Sequence, residues 1–388
     1  MGFMRFLLAV AVLLWHCPEG ILPRFLFPTL AVQCFYAVSG FLIQMVIWSK
    51  YQGQERWRTR FYISRILRIY PLYLFFLLLT VFLITDSFPY YAQHRKWGAG
   101  LIWIINNVFI IGQDVLRFFY FSDASGQFVV LPADGTARAA IYQHGGAEQM
   151  TAMGQSWTLA IELYFYLLAP FLLLRSTLWL VMTAAVLVGL RSALGYSFAS
   201  RPELVYGFFP TELAVFLLGA LAYRAYLYFF ASGRFVRGLQ LLGGGEETLF
   251  LLSTLTVVGV CWVYMTCDLN FASTYAPFLS WGKAPLGAPV GYWLILLMTV
   301  LALPFAFNFS RTFAFDRYVG ELSYPIYISH LFVLEFLTGR CWGHPADQAK
   351  GYIEIFVLAF SLLLSIILVQ FVEKPIDHLR HRLARVQN

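Results

Sequence analysis

Charged side chains are scarce in this chain: Asp, Glu, Lys and Arg make up 12% of its 388 residues. An ordinary soluble domain carries about 25%, so too few charges are present to coat a globular surface. That scarcity excludes a soluble enzyme, and the 60% hydrophobic content excludes a disordered chain. Cysteine is sparse too: the five residues, an odd number, do not make a secreted disulfide scaffold. No two of them share a short metal-type spacing. The pairs Cys17/Cys34 and Cys267/Cys341 could meet near one membrane face, but free buried thiols are the favoured reading. A net charge of +7 comes without any basic stripe on a soluble domain, so no nucleic-acid partner is expected.

What is present is apolar sequence in repeated runs of roughly 20 residues, each able to cross about 30 Å of hydrocarbon as a helix. The expected fold is an all-α polytopic protein of the lipid bilayer. Ten spans are expected at 4–22, 29–49, 67–85, 156–174, 177–197, 207–229, 247–267, 290–309, 318–338 and 352–372. An eleventh run, 99–112, is too short to cross and holds Asn106 and Asn107, so it reads as a re-entrant or interfacial helix. Arg5 and the apolar run after it resemble a signal peptide. The stretch Leu14-Trp15-His16-Cys17, however, offers no small residue for cleavage, so a retained first helix is expected.

With both termini cytoplasmic, the inner segments hold the clusters Arg56–Arg68 and Lys374–Arg385, and Lys and Arg favour the inside roughly two to one. Counting 99–112 as a span would lose that bias. The segment 86–155 then lies outside, polar and turn-rich in its second half, and carries no motif over 113–155. No soluble domain is apparent, so 1–388 reads as a single membrane domain.

Ionisable groups inside spans are costly and point to function. His16 lies eleven residues after Arg5, about 16 Å along a helix and on nearly the same face. With Arg5 at the cytoplasmic interface, His16 is expected near mid-membrane; position alone leaves a hydrogen-bonded core histidine open. Arg65 and Arg68 are i,i+3 neighbours at the mouth of the third span, either topology anchors or a clamp for an anionic ligand. Trp157 opens the fourth span, Glu162 lies deeper, and Tyr166 follows Glu162 at i+4. Ser323, Tyr327 and His330 form one polar stripe on the ninth span. Ser39-Gly40 reads as close helix packing. Gly243-Gly244-Gly245-Glu246 lacks the Lys-Ser/Thr of a phosphate loop, and the seven histidines show no metal-type spacing with a carboxylate.

Together these segments resemble the acyltransferase 3 family of integral-membrane O-acyltransferases. The matching pieces are Arg5 to His16, Phe35-Tyr-Ala-Val-Ser39-Gly40-Phe41-Leu42, Arg65-Ile-Leu-Arg68-Ile-Tyr-Pro71, Trp157-Thr-Leu-Ala-Ile-Glu162 with Phe165-Tyr166, Ser323-Tyr324 with His330, and Glu373-Lys-Pro375. The resemblance implies transfer of an acyl group, commonly acetyl, from cytoplasmic acyl-CoA to a hydroxyl of a glycan or lipid-linked sugar. It also implies residence in the cell membrane, the inner membrane of a bacterium. His16 would be the base, with Glu162 orienting it or holding the acceptor. Arg5, Arg65 and Arg68 would face the donor's phosphates, and Trp157, Tyr166, Ser323, Tyr327 and His330 the substrate. No metal is expected, and oligomeric state, a homo-oligomer included, stays open. The competing class is a transporter or flippase for an amphipathic substrate, which would also line a cavity with His, Glu and Arg. The absence of a repeat between the halves weighs against it.

Overall fold

An apolar run becomes a helix in lipid because only there are its N–H and C=O groups satisfied within the segment. The computed structural model describes residues 1–18, 20–84, 97–116, 118–122, 127–130, 132, 151–197, 205–266, 290–341 and 352–385. Helix α1 is Gly2–His16, α2 Pro28–Val46, α3 Trp57–Leu83, α4 Trp97–Phe109 and α5 Gln113–Leu116. Strand β1 (Phe119–Ser122) pairs antiparallel with β2 (Gln127–Val130), Phe119 opposite Val130. Then come α6 (Trp157–Leu172), α7 (Thr177–Ser197), α8 (Phe209–Tyr226), α9 (Arg234–Leu241) and α10 (Glu246–Thr266). Last are α11 (Val290–Thr312), α12 (Ala314–Glu335), α13 (Ile353–Leu368) and α14 (Lys374–Arg385).

Among the described residues, seven helical stretches are long and apolar enough to cross a membrane. They fall on α2, α3, α7, α8, α10, α11 and α13. Helices α1 and α6 stand on expected spans but are shorter, with 15 and 16 residues. Helix α12, carrying Asp316, Arg317, Glu321 and Glu335, is not among the seven.

Two expected boundaries need correction. The first span was placed at 4–22, yet α1 stops at His16. Pro18 is the cause, since the residue before a proline is pushed out of helical conformation. Cys17 is accordingly extended, with φ −72° and ψ 151°. The third helix begins at Trp57 rather than near 67, so the basic stretch Arg58–Arg68 is helical and its cations share faces.

The run expected not to cross is a 13-residue helix, α4. Its two asparagines are buried and bound. Asn107 Nδ2 donates to Trp103 O at 2.8 Å, and its Oδ1 accepts from the backbone of Ala152 at 2.7 Å. Asn106 Nδ2 donates to Ile111 O at 3.0 Å, closing the turn that follows. Tyr70 and Tyr73 of α3 donate to the last carbonyls of α4, fastening its end to the bundle. Most of the rest of 86–155 lies outside the described residues, as does the Cys267/Cys341 pairing. Cys17 and Cys34 are buried, free thiols.

Close helix contacts rest on glycine. A Cβ on Gly40 would sit 1.9 Å from the carbonyl oxygen of Phe216, and one on Gly219 would sit 1.9 Å from that of Ala37. Helices α2 and α8 therefore touch backbone to backbone, as small residues permit in lipid. They run parallel: Gln33 meets Glu212 and Phe41 meets Tyr223. Helices α1 and α12 are parallel too. Asp316 accepts the backbone N–H of Gly2 and Phe3, each at 2.8 Å, and His16 meets His330 further along.

Arg191, left within a span by the sequence reading, is fully buried beside Glu212 at 3.5 Å. Gln33 Nε2 donates to both Glu212 oxygens at 2.8 Å, and Gly207 N–H adds a fourth donor. A buried charge survives only when paired and hydrogen-bonded in this way.

Candidate active site

Helices α1, α2, α3, α6 and α12 enclose a cavity of about 160 Å³. Arg5, Arg65 and Arg68 line it, as do Ser39, Glu162, Tyr166, Ser323 and Tyr327. Of the residues singled out in the sequence, His16, His330 and Trp157 do not line it.

The cavity has a cationic end. Arg65 and Arg68 share the inner face of α3, as the i,i+3 spacing requires. Arg68 pairs with Glu373 at 3.0 Å and lies over the Tyr324 ring at 5.6 Å. Arg65 lies over Phe61 and Tyr166, 5.7 and 5.8 Å from the ring centres. Among the described residues Arg65 forms no ion pair. Arg5 joins this end from α1, beside Gly320 of α12.

Glu162 sits mid-cavity. Ser39 Oγ donates to its Oε1 at 2.8 Å, and the Tyr166 hydroxyl donates to the same oxygen. The Ser39-Gly40 pair thus has two jobs: Gly40 brings α8 close, and Ser39 holds the carboxylate. The first was legible in sequence; the second was not, because it depends on α2 and α6 meeting at that height.

At the opposite end, Thr158 and Tyr327 join hydroxyls at 2.8 Å. Thr158 gives its proton to Gln155 O at 2.9 Å, so Tyr327 donates in this pair. The bond bridges α6 and α12 and forms an end wall. Ser323 donates to Gly320 O within its own helix, and Trp157 packs edge-on against Tyr206, 5.0 Å between ring centres.

Beyond that wall lie His16 and His330, ring centres 5.0 Å apart. His330 is buried, at 1% exposure, and its ring is 5.8 Å from that of Tyr327. His16, the last residue of α1, is exposed. It therefore stands at a helix end, where a helix running on to residue 22 was expected. Both imidazoles have their tautomers fixed by backbone. His16 Nδ1 lies 2.8 Å from Val12 O, and His330 Nδ1 lies 2.7 Å from Tyr327 O. A carbonyl oxygen can only accept, so each neutral ring carries its proton on Nδ1 and leaves the Nε2 lone pair free. His330 Nε2 is buried with no partner among the described residues. The arrangement supplies two nitrogen bases, a held carboxylate and an anion-attracting mouth. Among the described residues no group of three or more His, Cys, Asp or Glu could hold a metal ion.

The sequence reading assigned no site role to Ser39, Thr158 or Glu373. Glu373 belongs to the segment Glu373-Lys-Pro375, but its pairing with Arg68 joins residues 305 apart in sequence.

Residues 1–371 match the acyltransferase 3 family, described as an acyltransferase domain. Over 360 residues the chain is 22% identical to a peptidoglycan O-acetyltransferase, OatA, from Listeria monocytogenes serovar 1/2a. That alignment covers 89% of this chain and 51% of the relative, so the chain spans about half the relative's length. No solved structure matches.

Proposed function

The chain belongs to the acyltransferase 3 family and is a membrane O-acyltransferase, and on that premise we propose that it moves an acyl group from cytoplasmic acyl-CoA to a glycan hydroxyl. Acetyl is the proposed acyl group, and a glycan or lipid-linked sugar the proposed acceptor. The observation that carries this reading is the cavity itself, cationic at Arg5, Arg65 and Arg68 and ending at Tyr327 beside two histidines.

The donor is polyanionic at one end and a thioester at the other. Its phosphates cannot cross hydrocarbon cheaply, so they stay at the arginine end while the thioester reaches toward Tyr327. His16 Nε2 removes the acceptor's hydroxyl proton as that oxygen attacks the thioester carbonyl. The C–S bond breaks, the ester forms, and the CoA thiolate takes the proton from the imidazolium. Glu162 positions the reacting groups through Ser39 and Tyr166, and His330 contacts the substrate beside His16.

Ten crossings with both termini cytoplasmic fit this scheme. The parallel pairs α1/α12 and α2/α8 support it, since alternate crossing makes first and ninth, or second and sixth, spans run alike. The acceptor then approaches from outside, past Trp157 and the 86–155 segment, in the cell membrane of a bacterium. Titration of the purified protein with acetyl-CoA tests the reading: saturable binding is expected, and no binding would refute the donor.

A further inference from the structure

Ser64 sits one residue before Arg65 on α3 and is 7% exposed. Its hydroxyl oxygen receives an unusual number of cationic donors. Arg65 Nη2 lies 3.2 Å away, Arg380 Nε 3.2 Å and Arg380 Nη2 3.1 Å. A hydroxyl oxygen has two lone pairs and no charge. Three guanidinium N–H groups from two arginines thus converge on one neutral atom. Like charges that close repel, and a neutral oxygen compensates neither.

Neighbouring charges do not explain the convergence. Glu373 compensates Arg68, and Asp377 pairs with Arg380 from the solvent side, at 43% exposure. Arg65 has no carboxylate among the described residues. Arg380 also borders a second, smaller cavity with Arg68, Glu373 and Asp377. Helix α14 therefore brings a cation to the site from the C-terminal part of the chain, a region with no assigned role.

We propose that Arg380, with Arg65 and Ser64, forms a phosphate-monoester subsite for the ribose phosphate of the acyl donor. This rests on the acyl-CoA reading above. The order of groups along the donor fits the order along the protein. From the thioester outward come pantetheine, pyrophosphate, then the phosphorylated ribose. From Tyr327 outward come Glu162, then the Arg65/Arg68 pair, then Arg380. The pyrophosphate falls to Arg65 and Arg68 on the cavity side. The ribose phosphate falls where Arg380 and Arg65 point at Ser64, displacing the weak hydroxyl contacts with charge-assisted ones.

The test compares CoA with dephospho-CoA, which lacks only that phosphate, by titration of the full chain in phosphatidylcholine nanodiscs. Wild type should bind CoA about tenfold or more tighter, as expected for a charge-assisted contact. Arg380→Gln should bring that ratio to about twofold or less while holding dephospho-CoA affinity. Asp377→Asn frees Arg380 from its carboxylate and should raise the ratio, by about threefold. A residue that merely anchors α14 would give no such opposite shifts, and the exposed Asp377 variant remains informative if Arg380→Gln does not fold. A ratio unchanged in both variants, or equal loss of both ligands in Arg380→Gln, overturns the subsite and leaves the donor reading standing. Wild type binding neither ligand overturns both. An Arg380→Gln loss seen only for added phosphatidic acid would assign the site to lipid headgroups and overturn it as well.

Discussion

His16 and His330 face each other at 5.0 Å, each with its Nδ1 proton committed to a helix carbonyl. Those carbonyls fix both tautomers and leave each Nε2 lone pair free without reorganisation. His330→Gln should lower transfer at least tenfold, a typical scale for loss of a positioned polar contact, with donor affinity within twofold of wild type. Turnover at the wild-type rate would remove His330 from the reaction.

Tyr327 and Thr158 close the cavity short of the histidines. In the proposed reaction the thioester has to pass or displace that bond to reach His16. Tyr327→Phe removes the donating hydroxyl, and should raise acetyl-CoA hydrolysis in the absence of acceptor by roughly two- to tenfold. The release of free thiol follows this directly. A rate equal to wild type would mean that the wall already lies open to the thioester.

Arg65 and Arg68 together should contribute donor affinity but no acceptor preference. Replacing both with Ala should weaken acetyl-CoA binding by about 100-fold, the scale of two charge-assisted contacts. Unchanged affinity would leave them as topology anchors. Arg68→Ala alone also strands Glu373, buried at 7% exposure, so the single variant should lose thermal stability that Arg68→Ala/Glu373→Gln recovers.

The glycine contacts predict a different failure. Gly40→Ala places a methyl 1.9 Å from the Phe216 carbonyl, so α2 and α8 must separate. Overpacking of that kind costs about 1–3 kcal/mol. Ser39 would move with it and loosen its hold on Glu162. Lower melting temperature and lower transfer per folded molecule are both expected; normal values for both would contradict the backbone contact.

Glu212 should matter for folding and not for chemistry. It and Arg191 are 0% and 1% exposed, with Gln33 bound to both carboxylate oxygens. Glu212→Ala leaves the guanidinium buried alone, a loss of about 3–5 kcal/mol. Unfolding in detergent should register this, while donor affinity of the folded fraction stays at wild type.

The helical layout was largely legible, because bilayer thickness fixes the length of an apolar run. The α7 boundaries 177–197 were read to the residue, and the short run with Asn106 and Asn107, read as a re-entrant or interfacial helix, is the 13-residue α4. Cavity membership was legible for residues at fixed spacing on one helix: Arg65 with Arg68, and Glu162 with Tyr166. What escaped depends on how helices meet. Helix α1 was expected to run to residue 22, but it stops at His16, two residues before Pro18. Glu212 as the partner of Arg191, and Ser39 as the holder of Glu162, require neighbouring helices at matched heights. Arg380 required knowing that α14 folds back on α3. No spacing along one chain encodes that return.

In the proposed mechanism His16 performs the transfer on a donor held at the arginine end. Its most direct measurement pairs the O-acyl content of surface glycans with acetyl-CoA affinity, both in His16→Gln. Glutamine keeps hydrogen-bonding capacity but cannot take the proton. No O-acyl groups above the level without the protein are expected, with acetyl-CoA affinity unchanged from wild type. Acylation near wild type in that variant would contradict the mechanism.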